Sequence, residues 1–354
     1  RNLAGTQRFV NRVMIFMLPA MMLIMNCSSL LVVWIGSEQI ARSALQVGDM
    51  MAFIQYAMQV IMSFLFISMI FIMVPRAAVS GDRIQEVLST QPAIRDPEVP
   101  EKFLPEKRGY VEFQDVSFRY AGADTDVLEH ITFTALPGQT TAFIGATGSG
   151  KSTLINLIPR FYDVTAGRVL VNGVDVRKVP QHDLREQIGY VPQKGVLLSG
   201  TIASNLRYGE KQAGDEQLRQ AAEVAQAMEF IAENPEGLQS EISQGGANVS
   251  GGQKQRLSIA RALVKKPPIY IFDDSFSALD FKTDAALRKA LQSYTEESAV
   301  LIVAQRVSAI MHAQQIIVLD EGKIVGMGAH SELLKTCPTY YEIASSQLTK
   351  EELA

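Results

Sequence analysis

Gly145-Ala146-Thr147-Gly148-Ser149-Gly150-Lys151-Ser152-Thr153 is the stretch of this sequence that decides the fold. It matches the pattern G-x-x-x-x-G-K-[ST] at every fixed position, follows the apolar run 141–144 and precedes the helix-like run 154–158. Glycines let the backbone curl so that successive N–H groups point inward, and a helix that begins at Lys151 adds the positive end of its dipole. We therefore predict a loop that binds a triphosphate.

Within this loop, Lys151 is predicted to reach the β- and γ-phosphates, and the Ser152 hydroxyl to take one Mg²⁺ position. The alternative is a glycine-rich turn between a strand and a helix that binds nothing. The order of strand, loop and helix favours the nucleotide site.

The composition indicates that part of the chain meets lipid. At 354 residues the chain is long enough for two domains, and a hydrophobic content of 47% with mean hydropathy +0.09 is high for a soluble protein. A net charge of −4 and a pI near 5.7 give no support to a nucleic-acid partner. Cys27 and Cys337 lie far apart, and we expect no structural disulfide. Because the chain opens at Arg1 without a signal-like segment, we expect that an upstream part is missing.

Two uncharged stretches, 13–35 and 50–74, each exceed the roughly 20 residues that cross a bilayer as a helix. A pair of soluble core helices is the alternative, but it would normally show a polar face. Arginines lie outside both stretches, and the connector between them carries only one, which under the positive-inside rule places both ends in the cytosol. The arginines are Arg8, Arg12, Arg76 and Arg83 on the cytosolic side and Arg42 in the connector.

A helix is predicted to continue out of the second stretch through residues 76–90. Four prolines follow among charged neighbours, at Pro92, Pro97, Pro100 and Pro105, and mark a domain boundary. We therefore expect a membrane part over residues 1–90, a linker over 91–108 and a second domain over 109–354.

The second domain is predicted to be α/β with a mixed sheet, because alternating and short apolar strands are separated by helical stretches. The strand candidates are 110–118, 141–144, 269–272, 300–303 and 316–319. Directly after one of them come Asp273 and Asp274. A carboxylate there is well placed to hold Mg²⁺, which we assign to Asp273, while Asp274 would orient the attacking water. The alternative is that the pair only caps the next helix.

A second anion site is predicted at Ser250-Gly251-Gly252-Gln253, at the start of an expected helix 254–266. One chain then has two phosphate-binding ends. Residues 331–346 are predicted to form a terminal helix. The four isolated histidines fit no motif and make a metal site improbable.

At these motifs the sequence resembles the ATP-binding cassette (ABC) transporters, and among them the multidrug exporters that fuse membrane and nucleotide-binding domains in one half-transporter. The resemblance implies that the apolar hairpin is the last two of six membrane helices, and that residue 110 to about 347 is a complete nucleotide-binding domain using ATP and Mg²⁺. It also implies that residues 145–153 are the Walker A loop and that Tyr120 stacks on adenine.

The same resemblance assigns the remaining motifs. Gln193 in Tyr190-Val191-Pro192-Gln193 would be the Q-loop glutamine that senses Mg²⁺ and the membrane domain. Residues 250–253 match the signature motif, Asp273 the Walker B aspartate, and Ser277-Ala278-Leu279-Asp280 the D-loop. In this family two such domains close face to face, with each ATP between the Walker A loop of one and the signature of the other.

Two positions depart from the family pattern. Asp274 stands where Glu is usual, and Gln305 stands where the switch histidine is expected. Aspartate is shorter by about 1.5 Å, the length of a carbon–carbon bond, and glutamine cannot become cationic. Both changes belong to the site on this chain's own Walker A loop, which resembles the weakly hydrolysing subunit of a heterodimer whose partner supplies Glu and His. A slowly hydrolysing homodimer is the alternative.

The predicted function is therefore ATP-driven export of hydrophobic or amphipathic compounds by a multi-pass protein of the cell membrane with a cytosolic nucleotide-binding domain. Three alternatives stay open. They are a homodimeric exporter of lipid or peptide, a membrane-bound regulatory subunit that binds ATP without transporting, and a cassette ATPase unrelated to transport, against which the two apolar stretches argue.

Overall fold

The computed structural model describes residues 2–349, with only the backbone for residues 2 and 3. Contacts divide the chain into two compact units, Arg1–Pro92 and Ala93–Ala354. Residue 1 and residues 350–354, at the ends of the two predicted domains, lie outside the described residues.

The first unit consists of two helices, α1 (Asn2–Ala41) and α2 (Val47–Ser89). Both are long and apolar enough to cross a membrane, and both extend well beyond the uncharged stretches that predicted them. They contact each other close to their connector, where a Cβ at Gly36 would lie 2.8 Å from the sulfur of Met50. Glycine at that position therefore lets the two helices approach. Within the described part of the chain, no residue of α2 is buried.

The second unit alternates strands and helices. Its strands are β1 (Val111–Phe118), β2 (Leu128–Ala135), β3 (Thr140–Gly145), β4 (Ala166–Val171), β5 (Val174–Asp175), β6 (Ile188–Val191), β7 (Gly200–Thr201), β8 (Glu241–Ile242), β9 (Ile269–Asp273), β10 (Ala299–Val303), β11 (Gln315–Asp320) and β12 (Lys323–Gly328). Its α-helices are α3 (Lys151–Leu157), α4 (Gln181–Glu186), α5 (Ile202–Arg207), α6 (Asp215–Val224), α7 (Met228–Ala232), α8 (Gly251–Val264), α9 (Phe281–Tyr294), α10 (His330–Thr336) and α11 (Pro338–Gln347).

The central sheet has six strands in the order β12-β11-β3-β10-β9-β6. Neighbours from β11 to β6 pair in parallel, and β12 returns antiparallel to β11. Strands β9 and β10 are buried throughout, as expected for parallel strands covered on both faces. Because the carboxyl ends of β3 and β9 lie on the same edge, this sheet brings the phosphate loop and the aspartates together.

A second, antiparallel sheet has the order β2-β1-β4-β5, and β7 and β8 form a separate pair. Two buried clusters cover the central sheet, one shared with the antiparallel sheet and one with the helices that include α8.

The prediction of one terminal helix over residues 331–346 is wrong. The structure has two helices, α10 and α11, which meet at Cys337 and Pro338. Proline disfavours helical geometry in the residue before it, and Cys337 accordingly adopts an extended conformation at φ −118° and ψ 104°.

Candidate nucleotide-binding site

The phosphate loop connects the end of β3 to the first residue of α3. Gly150, which precedes the helix, has φ 98°, a left-handed conformation that favours glycine. A Cβ at this position would also lie 2.7 Å from a methyl group of Leu128 on β2. Both the backbone conformation and the neighbouring strand therefore require glycine here.

The ammonium group of Lys151 lies within the loop. It donates to the carbonyl oxygens of Gly145 at 2.9 Å and Ala146 at 2.7 Å, and to the hydroxyl of Ser149 at 3.3 Å. Burial lowers the pKa of Lys151, and the nearby carboxylates of Asp274 and Asp273 oppose that shift. The loop thus encloses a desolvated positive charge, which suits a phosphate ligand.

Ser152 and Asp273 meet although 121 positions separate them in the sequence. The Ser152 hydroxyl donates to Oδ1 of Asp273 at 3.0 Å. Burial raises the pKa of Asp273, with a further contribution from Asp274, while Ser152 and Lys151 favour the charged form. A hydroxyl and a buried carboxylate are hard oxygen donors of the kind that Mg²⁺ prefers. The donor set therefore fits Mg²⁺, with Gln193 as a further candidate through its amide oxygen.

Asp274 is held from several sides. Its backbone has φ 45°, and its N–H donates to the carbonyl of Val303 at 3.0 Å. Its Oδ2 accepts hydrogen bonds from the side-chain amides of Gln193 at 3.1 Å and Gln305 at 2.7 Å. The two departures from the family pattern, Asp274 and Gln305, are thus in direct contact, and Gln193 joins them at the same carboxylate oxygen.

The signature residues begin α8. The Ser250 hydroxyl accepts from the Gln253 N–H at 3.2 Å, and the Gln253 side chain accepts from the Ser250 N–H at 2.9 Å, which forms a capping box. Around Gly251, a Cβ would meet no atom of the described residues within 4 Å, whereas at Gly252 it would lie 3.4 Å from the carbonyl of Ala278. The signature therefore packs against the D-loop while its first glycine faces open space.

Tyr120 lies next to Thr153, the last residue of the phosphate-loop motif. Its hydroxyl is 3.0 Å from that of Thr153, and its ring packs edge-on against Phe118 and Tyr162. Asp280 begins α9 and accepts from the Thr283 N–H at 3.0 Å, and these hydrogen bonds lower the pKa of its carboxyl group.

The structure thus sorts the predicted site residues into two groups. Residues of the phosphate loop, the end of β9 and the 193 and 305 positions form one connected network with Tyr120 beside it. Residues 250–253 form a second group with the D-loop.

Three contacting residues were missed by sequence reasoning. Gln255 on α8 donates to the carbonyl of Pro192 at 3.2 Å and accepts from the Gly195 N–H at 3.0 Å, which ties the signature helix to the Q-loop. Arg288 on α9 donates to the carbonyl of Ala309 and pairs with Asp284 at 2.8 Å. Gln347, the last residue of α11, bonds to residues 305 and 307. Spacing along the chain gives a signal for the Arg288–Asp284 pair, which lies four residues apart on one helix, but for none of the other contacts.

Comparison with known proteins agrees with this geometry. Residues 128–277, which contain the phosphate loop, the signature and Asp273, match the family model described as ABC transporter. The chain carries an ABC transporter domain. A solved structure described as a bacterial Atm1-family ABC exporter with ATP bound superposes with a TM-score of 0.81 and 32% sequence identity, over 94% of this chain and 58% of that one. The predicted fold class, two apolar helices followed by an ABC nucleotide-binding domain, is confirmed.

Curated relatives match between 79% and 95% of this chain. An uncharacterized ABC transporter ATP-binding protein of Mycobacterium tuberculosis is 47% identical over 94% of this chain and 57% of its own length. Another from Bacillus subtilis is 44% identical over 95% and 58%. An ATP-dependent lipid A-core flippase of Xanthomonas campestris is 41% identical over 79% of this chain and 47% of its own length. The chain therefore spans about half the length of the curated relatives that it matches.

Proposed function

We propose that this chain belongs to the ATP-binding and permease subunit of an ABC exporter, in which ATP binding and hydrolysis drive export. The observation that carries the proposal is the network of Lys151, Ser152 and Asp273, because it joins a desolvated cation to oxygen donors for Mg²⁺ at the end of one sheet. Likeness over nearly the whole chain to an ABC exporter structure supports it.

Lys151 would neutralise charge on the β- and γ-phosphates. The ring of Tyr120 would stack on the adenine base. Ser152, Asp273 and the amide oxygen of Gln193 would hold Mg²⁺, which when bound neutralises phosphate charge. The Ser250 hydroxyl and the N–H groups at the start of α8 would serve a second nucleotide, bound to the partner domain. Closure of the two domains on ATP would then move the membrane helices.

We further propose that the subunit pairs with a different half-transporter, and that its own Walker site hydrolyses slowly. Asp274 is shorter than the usual glutamate, and an error of about 1 Å in position can lower a rate by about 10²-fold. The carboxylate is also engaged by two amides, those of Gln193 and Gln305. Hydrolysis would take place chiefly at the partner's Walker site, using residues 250–253 of this chain.

The apolar helices α1 and α2 would span the cell membrane as part of a multi-pass domain, and the nucleotide-binding domain would lie in the cytosol. One exposed face of α2 mixes polar and apolar side chains; it is formed by Tyr56, Gln59, Val60, Ser63, Phe64 and Ile67. This mixture suits an amphipathic cargo. The likeness to a lipid A-core flippase supports a lipid-like molecule among such cargoes.

Transport into inverted membrane vesicles tests the proposal, with the assembled transporter carrying either the natural sequence or Lys151→Ala. We expect ATP-dependent uptake of an amphipathic fluorescent probe, and its loss in the variant. Nucleotide binding without any uptake would favour a regulatory subunit. Recovery of the protein in the soluble fraction, without detergent, would favour a cassette ATPase unrelated to transport.

The asymmetry has its own test in the purified heterodimer. We expect that changing the partner's glutamate to glutamine abolishes most ATPase activity, whereas Asp274→Asn in this chain changes it little. The opposite result would place the active site on this chain. Brisk hydrolysis by identical protomers at both sites would show that the protein is a homodimer.

A further inference from the structure

The switch segment, defined as residues 305–309, is held in place by a side chain from the far end of the chain. The Gln347 side-chain amide donates to the carbonyl of Gln305 at 2.9 Å, and its Oε1 accepts from the Val307 N–H at 2.8 Å. These partners lie 42 and 40 positions away in the sequence. One amide thus bonds to the backbone on both sides of Arg306.

This contact satisfies an otherwise unpaired group. Val307 begins a 3₁₀ turn, Val307–Ala309, and the first N–H groups of a helical turn have no partner within it. The residue before the turn, Arg306, makes no side-chain capping bond within the described chain. Gln347 therefore caps the turn from outside.

The position of Gln347 is fixed by the packing of α11. Tyr340 and Ala344 on this helix are fully buried in the core, and the Tyr340 hydroxyl lies 2.7 Å from Nδ1 of His330 on α10. Gln347 follows Ala344 by about one helical turn, so a rigidly docked helix presents its side chain to the switch segment.

The other end of the segment is held separately, since Arg288 on α9 donates to the carbonyl of Ala309. Between these two attachments the Gln305 side chain reaches Oδ2 of Asp274 at 2.7 Å. The direction of that side chain depends on the backbone conformation of residue 305, whose carbonyl oxygen accepts the hydrogen bond from Gln347.

We propose that Gln347 is a positioning residue that sets the orientation of Gln305, so that the terminal helix α11 controls how this site distinguishes ATP from ADP. The inference rests on the proposed function and adds that Gln305, which lies beside Asp274, faces the γ-phosphate of the bound ATP. ADP lacks that phosphate, and a change in the orientation of Gln305 therefore affects ATP alone.

Hydrogen exchange and nucleotide selectivity test the proposal in the assembled transporter. Gln347→Ala should speed exchange of the Val307 amide by about 3- to 10-fold, the effect of one lost hydrogen bond. Gln347→Ala should also lower the affinity for ATP relative to that for ADP by a similar factor. Both affinities are measured by competition against photolabelling of this chain by azido-ATP. Ser346→Ala is the matched control, because its hydroxyl donates only within α11, to Ile343 at 2.7 Å.

Gln347→Glu separates the two bonds. It keeps the acceptor for the Val307 N–H but removes the donor to Gln305, so we expect exchange at Val307 close to that of the natural protein and ATP selectivity close to that of Gln347→Ala. In a Gln305→Ala background, Gln347→Ala should cause no further loss of selectivity.

Several results would overturn the proposal. One is exchange and selectivity in Gln347→Ala equal to those in Ser346→Ala. Another is equal weakening of ATP and ADP with a lower unfolding temperature, since that is a purely structural effect. A third is selectivity unchanged by Gln347→Ala although Gln305→Ala reduces it. Failure of the proposed function looks different: azido-ATP labelling that survives Lys151→Ala would show that the phosphate loop does not bind ATP, and labelling without vesicle uptake would show binding without export.

Discussion

The side-chain amide of Gln305 donates a 2.7 Å hydrogen bond to Oδ2 of Asp274. Each residue departs from the ABC pattern, and the structure places the two departures in contact. Here a short carboxylate accepts a hydrogen bond from an amide that carries no charge. Glutamate and histidine at the same positions would instead place a longer carboxylate beside a group that can become cationic.

Asp274→Glu combined with Gln305→His is expected to increase hydrolysis at this chain's own site by about tenfold or more, because the carboxylate then reaches about 1.5 Å further toward the attacking water. The measurement is ATPase activity in a heterodimer whose partner glutamate has been changed to glutamine. An unchanged rate would mean that the length of residue 274 does not limit the site.

Asp273→Asn is expected to stabilise the nucleotide-free protein at pH 7 while abolishing Mg²⁺-dependent ATP binding. Burial raises the pKa of Asp273, so the folded state binds its proton more tightly than the unfolded state. The stability that this proton adds to the folded state is fully present below the ordinary pKa of aspartate and is lost as pH rises through the raised pKa of Asp273. The unfolding temperature of the variant should therefore be higher than that of the natural protein at pH 7.

The raised pKa of Asp273 also predicts how the difference in unfolding temperature between Asp273→Asn and the natural protein depends on pH. The gain in unfolding temperature of Asp273→Asn over the natural protein should shrink as pH falls through the raised pKa of Asp273 toward its ordinary value of 3.8, because the folded protein then takes up the proton that neutralises the buried carboxylate. A gain that grows on acidification would contradict the direction of the shift.

Ser250→Ala and Gly251→Ala should separate stability from function at the signature. Ser250→Ala removes the cap of α8 and should lower the free energy of unfolding by about 1 kcal/mol, together with ATPase activity. Gly251→Ala should leave the unfolding free energy within about 0.5 kcal/mol, the usual range for a surface substitution, because its Cβ meets no described atom within 4 Å.

In the assembled transporter, Gly251→Ala should nevertheless reduce ATPase activity by about tenfold or more, since the methyl group enters the space proposed for the partner's nucleotide. Full activity in this stable variant would show that no phosphate approaches Gly251.

Tyr120→Phe and Tyr120→Ala test stacking on adenine. Phenylalanine keeps the ring but loses the 3.0 Å contact with Thr153, so we expect nearly unchanged ATP affinity. Alanine should weaken ATP binding by roughly the 1–3 kcal/mol of one stacked base. Equal affinities of both variants, measured by photolabelling competition, would assign the ring to the packing of Phe118 and Tyr162 instead.

Sequence reasoning reached those parts of the fold that local patterns determine. The strand at 269–272 was located because a buried parallel strand is a short apolar run, and the residue that follows it, Asp273, could be paired with Ser152 through the motifs alone. The antiparallel sheet was only partly predicted, since β5 has two residues and β4 begins with exposed positions. Neither strand shows the alternation of apolar and polar residues that predicts a strand.

Other features depend on tertiary contacts. The left-handed backbone of Asp274 follows from its bond to Val303 on the next strand, and Gln347 reaches the switch segment only because α11 docks against the core. The break at Pro338 did carry a local signal, because the residue before a proline is disfavoured in a helix. The prediction of one uninterrupted helix over residues 331–346 could therefore have been avoided.

The ammonium of Lys151 donates hydrogen bonds to three oxygens of its own loop. These bonds tie the start of the loop to the first residue of α3 through the chain's own atoms. A triphosphate that binds here would replace the loop oxygens as the acceptors of Lys151, so each binding event would exchange one set of hydrogen bonds for another.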